Sequence, residues 1–167
     1  MTTVDGDSAG VVHELVASLD YPMFIVTAAA GGKRAGCLVG FTTQCSIDPP
    51  RFLVCLSERN HTFEVAAHAE LLVVHMVPSD AGDLADLFGG ETGDEVDKFE
   101  RCEWTPGPGG APVLDRCENW FAGRVLERFD VGDHQAYLLE PCEAHSGRAE
   151  RQFDFHRARR IDAGHPA

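Results

Sequence analysis

The residues best suited to chemistry lie between Arg34 and Thr62. Gly36, Gly40, Thr42, Thr43 and Ser46 crowd one segment with small and hydroxyl side chains, which lets a ligand approach backbone N–H groups closely. After Asp48-Pro49-Pro50 and the apolar run Arg51 to Leu56, the stretch Ser57-Glu58-Arg59-Asn60-His61-Thr62 opens a helix. Unpaired N–H groups and a partial positive charge at a helix start suit a phosphate, and Arg59 with the Thr62 hydroxyl could add charge-assisted bonds. The same residue types have a simpler use, since Asn60 or Thr62 can merely cap the helix. His61 either bonds the phosphate or lies at the helix start. His134 follows a Gly132-Asp133 turn. It is either a site residue or a strand-start histidine satisfied by solvent or a neighbouring carbonyl. Cys37 and Cys45 share the small-residue strand, where a thiol is usually a packing group.

These residues need a frame. Val11, Val12, Leu15, Val16 and Leu19 recur at helical spacing, which predicts an amphipathic leading helix over 8–19 with Ser8 as its cap, closed by Tyr21-Pro22. Met23 to Thr27 is rich in β-formers, and Gly31-Gly32 predicts a hairpin turn from which a second strand leaves at Arg34. Further strands are expected over Arg51 to Leu56, Leu71 to Val77, Trp120 to Phe129 and His134 to Leu139. Helices are expected over Thr62 to Ala69 and over Ser79 to Phe88, the latter capped by Ser79 and ended by Gly89-Gly90, with another turn over Asp94 to Phe99. Phe121, Gly123, Val125 and Phe129 should share one face of their strand, opposite Arg124 and Arg128. Thr105 to Pro112, dense in Pro and Gly, reads as a surface loop. Strands joined by tight turns with a few helices between them define a mostly β protein with helical insertions, built as an antiparallel barrel.

Composition narrows the function. A chain of 167 residues fits one domain, here 1–167 with a leading helix at 8–19 and a C-terminal tail at 144–167. Lys and Arg number 14 against 27 Asp and Glu, a formal charge of −13, which disfavours nucleic acid and anionic lipid as partners. No apolar run approaches the ~18 residues of a membrane span. Asp5 and Asp7 stand where a secretory signal would carry Lys or Arg, so a cytoplasmic location is expected. The six cysteines form no C-x-x-C and no zinc-type pairing with His, so they read as reduced thiols, most of them buried, and no metal site is expected. The tail from Gln152 to Arg160 breaks the acidic trend. It is either a final strand whose arginines meet an anionic cofactor or a second subunit, or a solvated terminus, the commoner fate.

Tyr21-Pro22, the strand Gly36 to Ser46, Asp48-Pro49-Pro50, Arg51 to Leu56 and Asn60-His61-Thr62 occur in an order that resembles the flavin reductase-like family of FMN-binding split barrels. Trp104-Thr105-Pro106-Gly107, Pro112-Val113-Leu114 and Gly132-Asp133-His134 extend the resemblance to about Glu143. It implies an FMN-binding split β-barrel in which Leu38, Val39, Gly40, Phe41, Gln44, Cys45 and Ser46 hold the flavin ring. Ser57, Arg59, Asn60, His61 and Thr62 would hold its phosphate, and His134 would lie at the nicotinamide side. Leu38-Val39-Gly40-Phe41 stands where many family members have Thr-Ala-Ser-Ser, so backbone amides rather than hydroxyls would meet the isoalloxazine edge. The resemblance further implies NAD(P)H as co-substrate, FMN or FAD as flavin, and a homodimer with the flavin sites at its interface. Electrons would pass to free flavin, a partner monooxygenase or another acceptor. The competing readings are a flavin-binding electron-transfer module without NAD(P)H activity, and a split barrel carrying haem or a deazaflavin.

Overall fold

The computed structural model describes residues 6–149 and 151–164. Its chief element is a seven-stranded sheet in the order β2-β1-β5-β8-β9-β4-β3, with every neighbouring pair antiparallel. The strands are β1 (Phe24–Ala30), β2 (Lys33–Val39), β3 (Thr42–Ser46), β4 (Arg51–Ser57), β5 (Leu71–Met76), β8 (Trp120–Asp130) and β9 (His134–His145). Gly31 and Gly32 both take positive φ, 58° and 77°, the conformation a two-residue hairpin turn requires, and set the Ala30–Lys33 register. The sheet's two edges, β2 and β3, are separated in sequence only by Gly40 and Phe41. The sheet must therefore curl until its edges nearly meet, yet it does not close, and this is a split barrel. At the split the Cys55 N–H donates to the Phe41 carbonyl at 2.9 Å.

Inside the curl, Phe24, Val26, Val39, Val54, Leu56, Leu72, Val74, Tyr137 and Leu139 are buried, and helix α2 (His61–Ala66) plugs the interior with Val65 and Ala66. Ile25, from the opposite face of β1, joins a second core with Val77, Phe153 and helix α3 (Gly82–Gly90), through Leu84, Ala85 and Phe88. With both faces covered, β1 reads as a continuous apolar run rather than an alternating one. Helix α1 (Gly6–Ala17) leads the chain, and its apolar residues Val11, Val12, Leu15 and Val16 remain exposed, as does Leu19 beyond it. The helix starts before Ser8, which is thus an interior residue and not the cap; Asp5 lies outside the described residues.

Tertiary pairing overrides several local signals. Residues 105–112 form regular structure after all: β6 (Trp104–Pro106) pairs with β7 (Pro112–Leu114) around a turn made by Gly109 and Gly110, both at positive φ. The Thr27 hydroxyl donates to the Pro112 carbonyl at 2.6 Å and ties this hairpin to β1. α3 begins at Gly82 rather than at Ser79, because Pro78 bridges to Gln152 and the Ser79 N–H donates to the Arg151 carbonyl. β9 runs six residues beyond Leu139, passing Pro141 at an irregularity where β8 slips register between Ala122 and Gly123. A second slip between Val125 and Glu127 reverses the alternation of β8. Phe129 consequently points outward and is 40% exposed, while Arg128 turns in, lies over the Tyr137 ring and donates to the Ala66 carbonyl at 3.1 Å, at the end of α2. Two of the six cysteines, Cys37 and Cys117, are buried; Cys45 and Cys142 are exposed, because each sits on a strand that has solvent on one side. The tail is not a solvated terminus: Phe153 is buried, its N–H donates to the Val77 carbonyl, and its own carbonyl accepts from the Met23 N–H. It closes the gap between the ends of β1 and β5, after which helix α4 (Phe155–Ala158) follows.

His75 is fully buried in the sheet. Leu114 N–H donates to its Nε2 at 3.1 Å, so Nδ1 carries the proton and donates to the Ile25 carbonyl at 2.9 Å. Burial of the imidazole lowers its pKa to about 4. The folded form thus resists a proton that the unfolded chain accepts near its ordinary pKa of 6.5, so this stability is full above pH 6.5 and is lost as pH falls towards 4. Urea unfolding of the wild type and of His75→Gln should show a stability difference that is constant above pH 7. It should shrink by about 1.4 kcal/mol per pH unit below 6. A difference independent of pH would mean that His75 is not held neutral.

Candidate active site

At the split between the sheet edges lies a cleft of about 230 Å³. β2 brings Cys37, Leu38 and Val39 to it, the β2–β3 connection brings Gly40 and Phe41, and β4 brings Cys55, Leu56 and Ser57. Asn60 closes one end. One wall is aromatic: Tyr21 stacks on Phe155 with ring centroids 4.6 Å apart and 13° between planes, and Met23 stands beside them. The Phe155 N–H donates to the Tyr21 carbonyl, so the tail holds this wall by its backbone as well as by its ring. The other wall is Phe41 against His134, 5.1 Å between centroids.

His134 starts β9 directly opposite Ser57 on β4. Its Nδ1 lies 2.6 Å from Asp133 Oδ1, which fixes the ring and leaves Nε2 as the nitrogen available to a ligand. The same contact holds the Asp133 carboxyl below its usual range, the hydrogen bond to His134 being the larger cause. At the floor, burial pushes the Cys37 thiol above its ordinary pKa, in part offset by the Thr62 and Asn60 side chains and by Lys98. The Cys55 thiol is likewise raised by burial. Neither is a thiolate near neutral pH, so neither acts as a nucleophile in the resting site.

Of the residues singled out in the sequence, Leu38, Val39, Gly40, Phe41, Ser57, Asn60 and His134 line this cleft. Gln44, Cys45 and Ser46 sit farther along β3, where the Gln44 side-chain amide donates to the Ser46 carbonyl; they do not line it. Asn60 caps α2 through its Oδ1, which accepts from the Thr62 N–H at 2.9 Å, and Thr62 itself is buried beneath the cap. Arg59 is exposed beside this turn. His61 faces away from the cleft, its Nδ1 2.8 Å from Asp94 Oδ1. Tyr21, Met23, Cys55, Leu56 and Phe155 complete the cleft without having been expected there. Tyr21 was visible as half of a Tyr-Pro pair. Phe155 carries no local signal, since only the long-range docking of the tail puts it at this wall.

A buried lysine supports β2 from behind. Lys98 Nζ donates to the carbonyls of Gly36 and Phe88, both at 3.1 Å, and lies 5.5 Å from the Phe88 ring centroid. Burial lowers its pKa from the ordinary lysine value. The ammonium thus links the edge strand that enters the cleft to the end of α3. Among the described residues there is no cluster of metal-ligating side chains, and no helix is long and apolar enough to cross a membrane.

An open, curled antiparallel sheet with a slot between its edges, floored by small and apolar residues and flanked by aromatic rings, is the architecture of a split barrel. The flavin reductase-like domain model matches residues 16–161, and the chain belongs to that family. It is 30% identical over 139 residues to FMN reductase (NADH) RutF of Stutzerimonas stutzeri, covering 80% of this chain and 78% of that one. It is 27% identical over 113 residues to a probable flavin reductase of Rhizobium meliloti, covering 65% of this chain but only 35% of that protein's length. The crystal structure of a flavin reductase domain protein from Arthrobacter sp. FB24 superposes with a TM-score of 0.81 at 23% identity, covering 89% of this chain and 91% of that one.

Gly40 leaves no room for a side chain. A Cβ there would lie 2.8 Å from Tyr21 Cε2 and 3.1 Å from Met23 Sδ. Gly40→Ala must displace the Tyr21 ring or the backbone that carries the new methyl, and should cost about 1–3 kcal/mol of stability in denaturant unfolding. Flavin affinity should fall with it; wild-type stability and affinity in this variant would show that the wall is not rigid.

Proposed function

We propose that the cleft binds FMN and that NAD(P)H reduces it there, which makes this member of the flavin reductase-like family a working NAD(P)H-dependent flavin oxidoreductase. The observation that carries the reading is the slot itself, with Tyr21–Phe155 on one side and Phe41–His134 on the other. Such a slot fits a flat ring system: its aromatic and apolar walls exclude water, and the chain bend at Gly40-Phe41 offers backbone groups at close range. When bound, the flavin supplies hydride acceptance and onward electron transfer. Leu38, Val39, Gly40 and Phe41 position the ring, and Ser57, Arg59, Asn60 and Thr62 form the phosphate side. His134, oriented by Asp133, hydrogen-bonds or positions the nicotinamide and need not exchange a proton with it. Free flavin or a partner monooxygenase is the acceptor. Six free thiols and a nicotinamide substrate suit a cytoplasmic protein, read here as one domain.

The reading includes a homodimer. At about 230 Å³ the cleft falls below the ~300–1,000 Å³ of enclosed small-molecule sites, as expected if a second subunit supplies the missing wall. Exposed apolar side chains include Phe41 (53%) in the cleft, Val131 (51%), whose N–H donates to the His134 carbonyl, and Ile47 (83%) past the far end of β3. β3 also offers an unpaired edge for a second copy to cover.

Quenching of flavin fluorescence on titration with micromolar protein tests the binding, and its absence would sink the proposal. Asn60→Ala and Thr62→Ala should weaken FMN more than riboflavin; equal losses would assign both residues to the fold alone. In stopped-flow with NADH and NADPH, the bound flavin should bleach rapidly in the wild type and more slowly in His134→Ala, with flavin affinity retained. Failure to bleach in the wild type would leave only an electron-transfer role. Light scattering should give about twice the 18.2 kDa chain mass, and a monomer with tightly bound flavin would refute the shared site.

A further inference from the structure

Helix α2 is only six residues long, too short to hold itself in water, so its place in the barrel is set by what grips its ends. At its start, Asn60 Oδ1 accepts from the Thr62 N–H. At its end, the carbonyls of the buried Ala66 and Ala69 accept from one guanidinium nitrogen of Arg128, the former at 3.1 Å. Carbonyls of a last turn are short of partners within their own helix, and a cation there also meets the negative end of the helix dipole. Between the two ends the helix packs into the core through Val65 and Ala66. Apolar contacts carry no direction, so they fix the depth of the helix but not its rotation or its slide along the axis. Hydrogen bonds to two carbonyls fix both.

β8 is distorted to deliver this arginine. Its register slip sets Val125 opposite Leu139 and Arg128 opposite Tyr137, so residues three apart on β8 face residues two apart on β9, and both point into the curl. Regular alternation from Val125 would bring Phe129 inward and leave Arg128 outside. The slip thus exposes a phenyl ring and lays a guanidinium over the buried Tyr137 ring, 5.5 Å from its centroid, the reverse of what burial favours. What the distortion gains is the grip on α2. Departures from local preference are expected where a site needs them. Resting on the reading of residues 57–62 as the phosphate side of the cleft, we propose that Arg128 is a positioning residue for the flavin phosphate, acting through α2 without touching the ligand. It holds the end of the helix that lies about 9 Å along the axis from Asn60, and so sets where Asn60, with Thr62 beneath it, stands at the cleft.

Titration of the flavin-freed protein with FMN and with riboflavin, read by flavin fluorescence, tests this, because the ratio of the two affinities isolates the phosphate. In Arg128→Leu the expected result is a fall of about tenfold in that ratio, with riboflavin affinity within about twofold of wild type. In the Asn60→Ala background the same substitution should lower the ratio by no more than about threefold, since the main group through which Arg128 acts is already gone. Arg128→Gln, which keeps one shorter donor, serves if the leucine variant does not fold, as judged by circular dichroism, with an expected fall of about threefold. The inference is overturned if the folded variant keeps the wild-type ratio, if it loses FMN and riboflavin equally, or if the loss is undiminished in the Asn60→Ala background. Wild-type protein that binds neither flavin, or binds both alike, would instead remove the reading of the cleft or of its phosphate side, and this inference with it.

Discussion

The structure depends on one geometric constraint: the two edge strands of a seven-stranded sheet are joined by only two residues. An antiparallel sheet whose ends are tied so closely must curl through almost a full turn, and strand twist supplies the curvature. Closure is prevented at the same place. Gly40 turns the chain out of β2 and packs under Tyr21, and the carbonyl of Phe41 is taken by β4. The slot and the curl are consequences of the same two residues, so the cleft is a property of the fold rather than an addition to it.

Around that slot, the polar groups divide between holding and contacting. Lys98 and Asp133 are committed to partners within the protein, and they fix the positions of β2 and His134 respectively. On the proposed reading, contact with the ring falls to backbone groups, aromatic rings and the histidine edge, and contact with the phosphate to Ser57, Arg59, Asn60 and Thr62. Such a site recognises shape and stacking more than charge, which accords with an acidic protein that has little long-range attraction for an anionic cofactor.

The parts of this arrangement that were legible in the sequence are those set by local chemistry. The Gly31-Gly32 hairpin, the short strands, the Asn60 cap and the ordered motifs from Tyr21 to His134 can be read because turn, cap and strand preferences act over a few residues. Where long-range pairing competes with local preference, the sequence misleads. The Pro/Gly stretch 105–112 forms a hairpin because β1 and His75 hold its second strand. The slip in β8 exchanges Arg128 and Phe129 between faces, which no periodicity could announce. Gln44, Cys45 and Ser46 have the small-residue composition of a ligand strand, yet the bend at Gly40-Phe41 carries them along the outer edge. Phe155 and Lys98 enter the site or its support only through distant partners.

The wall made by Tyr21 and Phe155 has a consequence for folding kinetics. Its flanking hydrogen bond, from the His156 N–H to Asp20 Oδ1, spans 136 residues. Closing a loop of such separation costs entropy that the local hairpins of the sheet do not incur. A partly folded chain can have its curled sheet and the α2 plug and still lack one wall of the slot. Ligand affinity therefore belongs to the completed molecule alone, and a bound ligand stabilises it against every less folded form. On the proposed reading the cofactor acts as a selector of finished chains, and the appearance of flavin quenching during refolding would report the docking of the tail rather than the formation of the sheet alone.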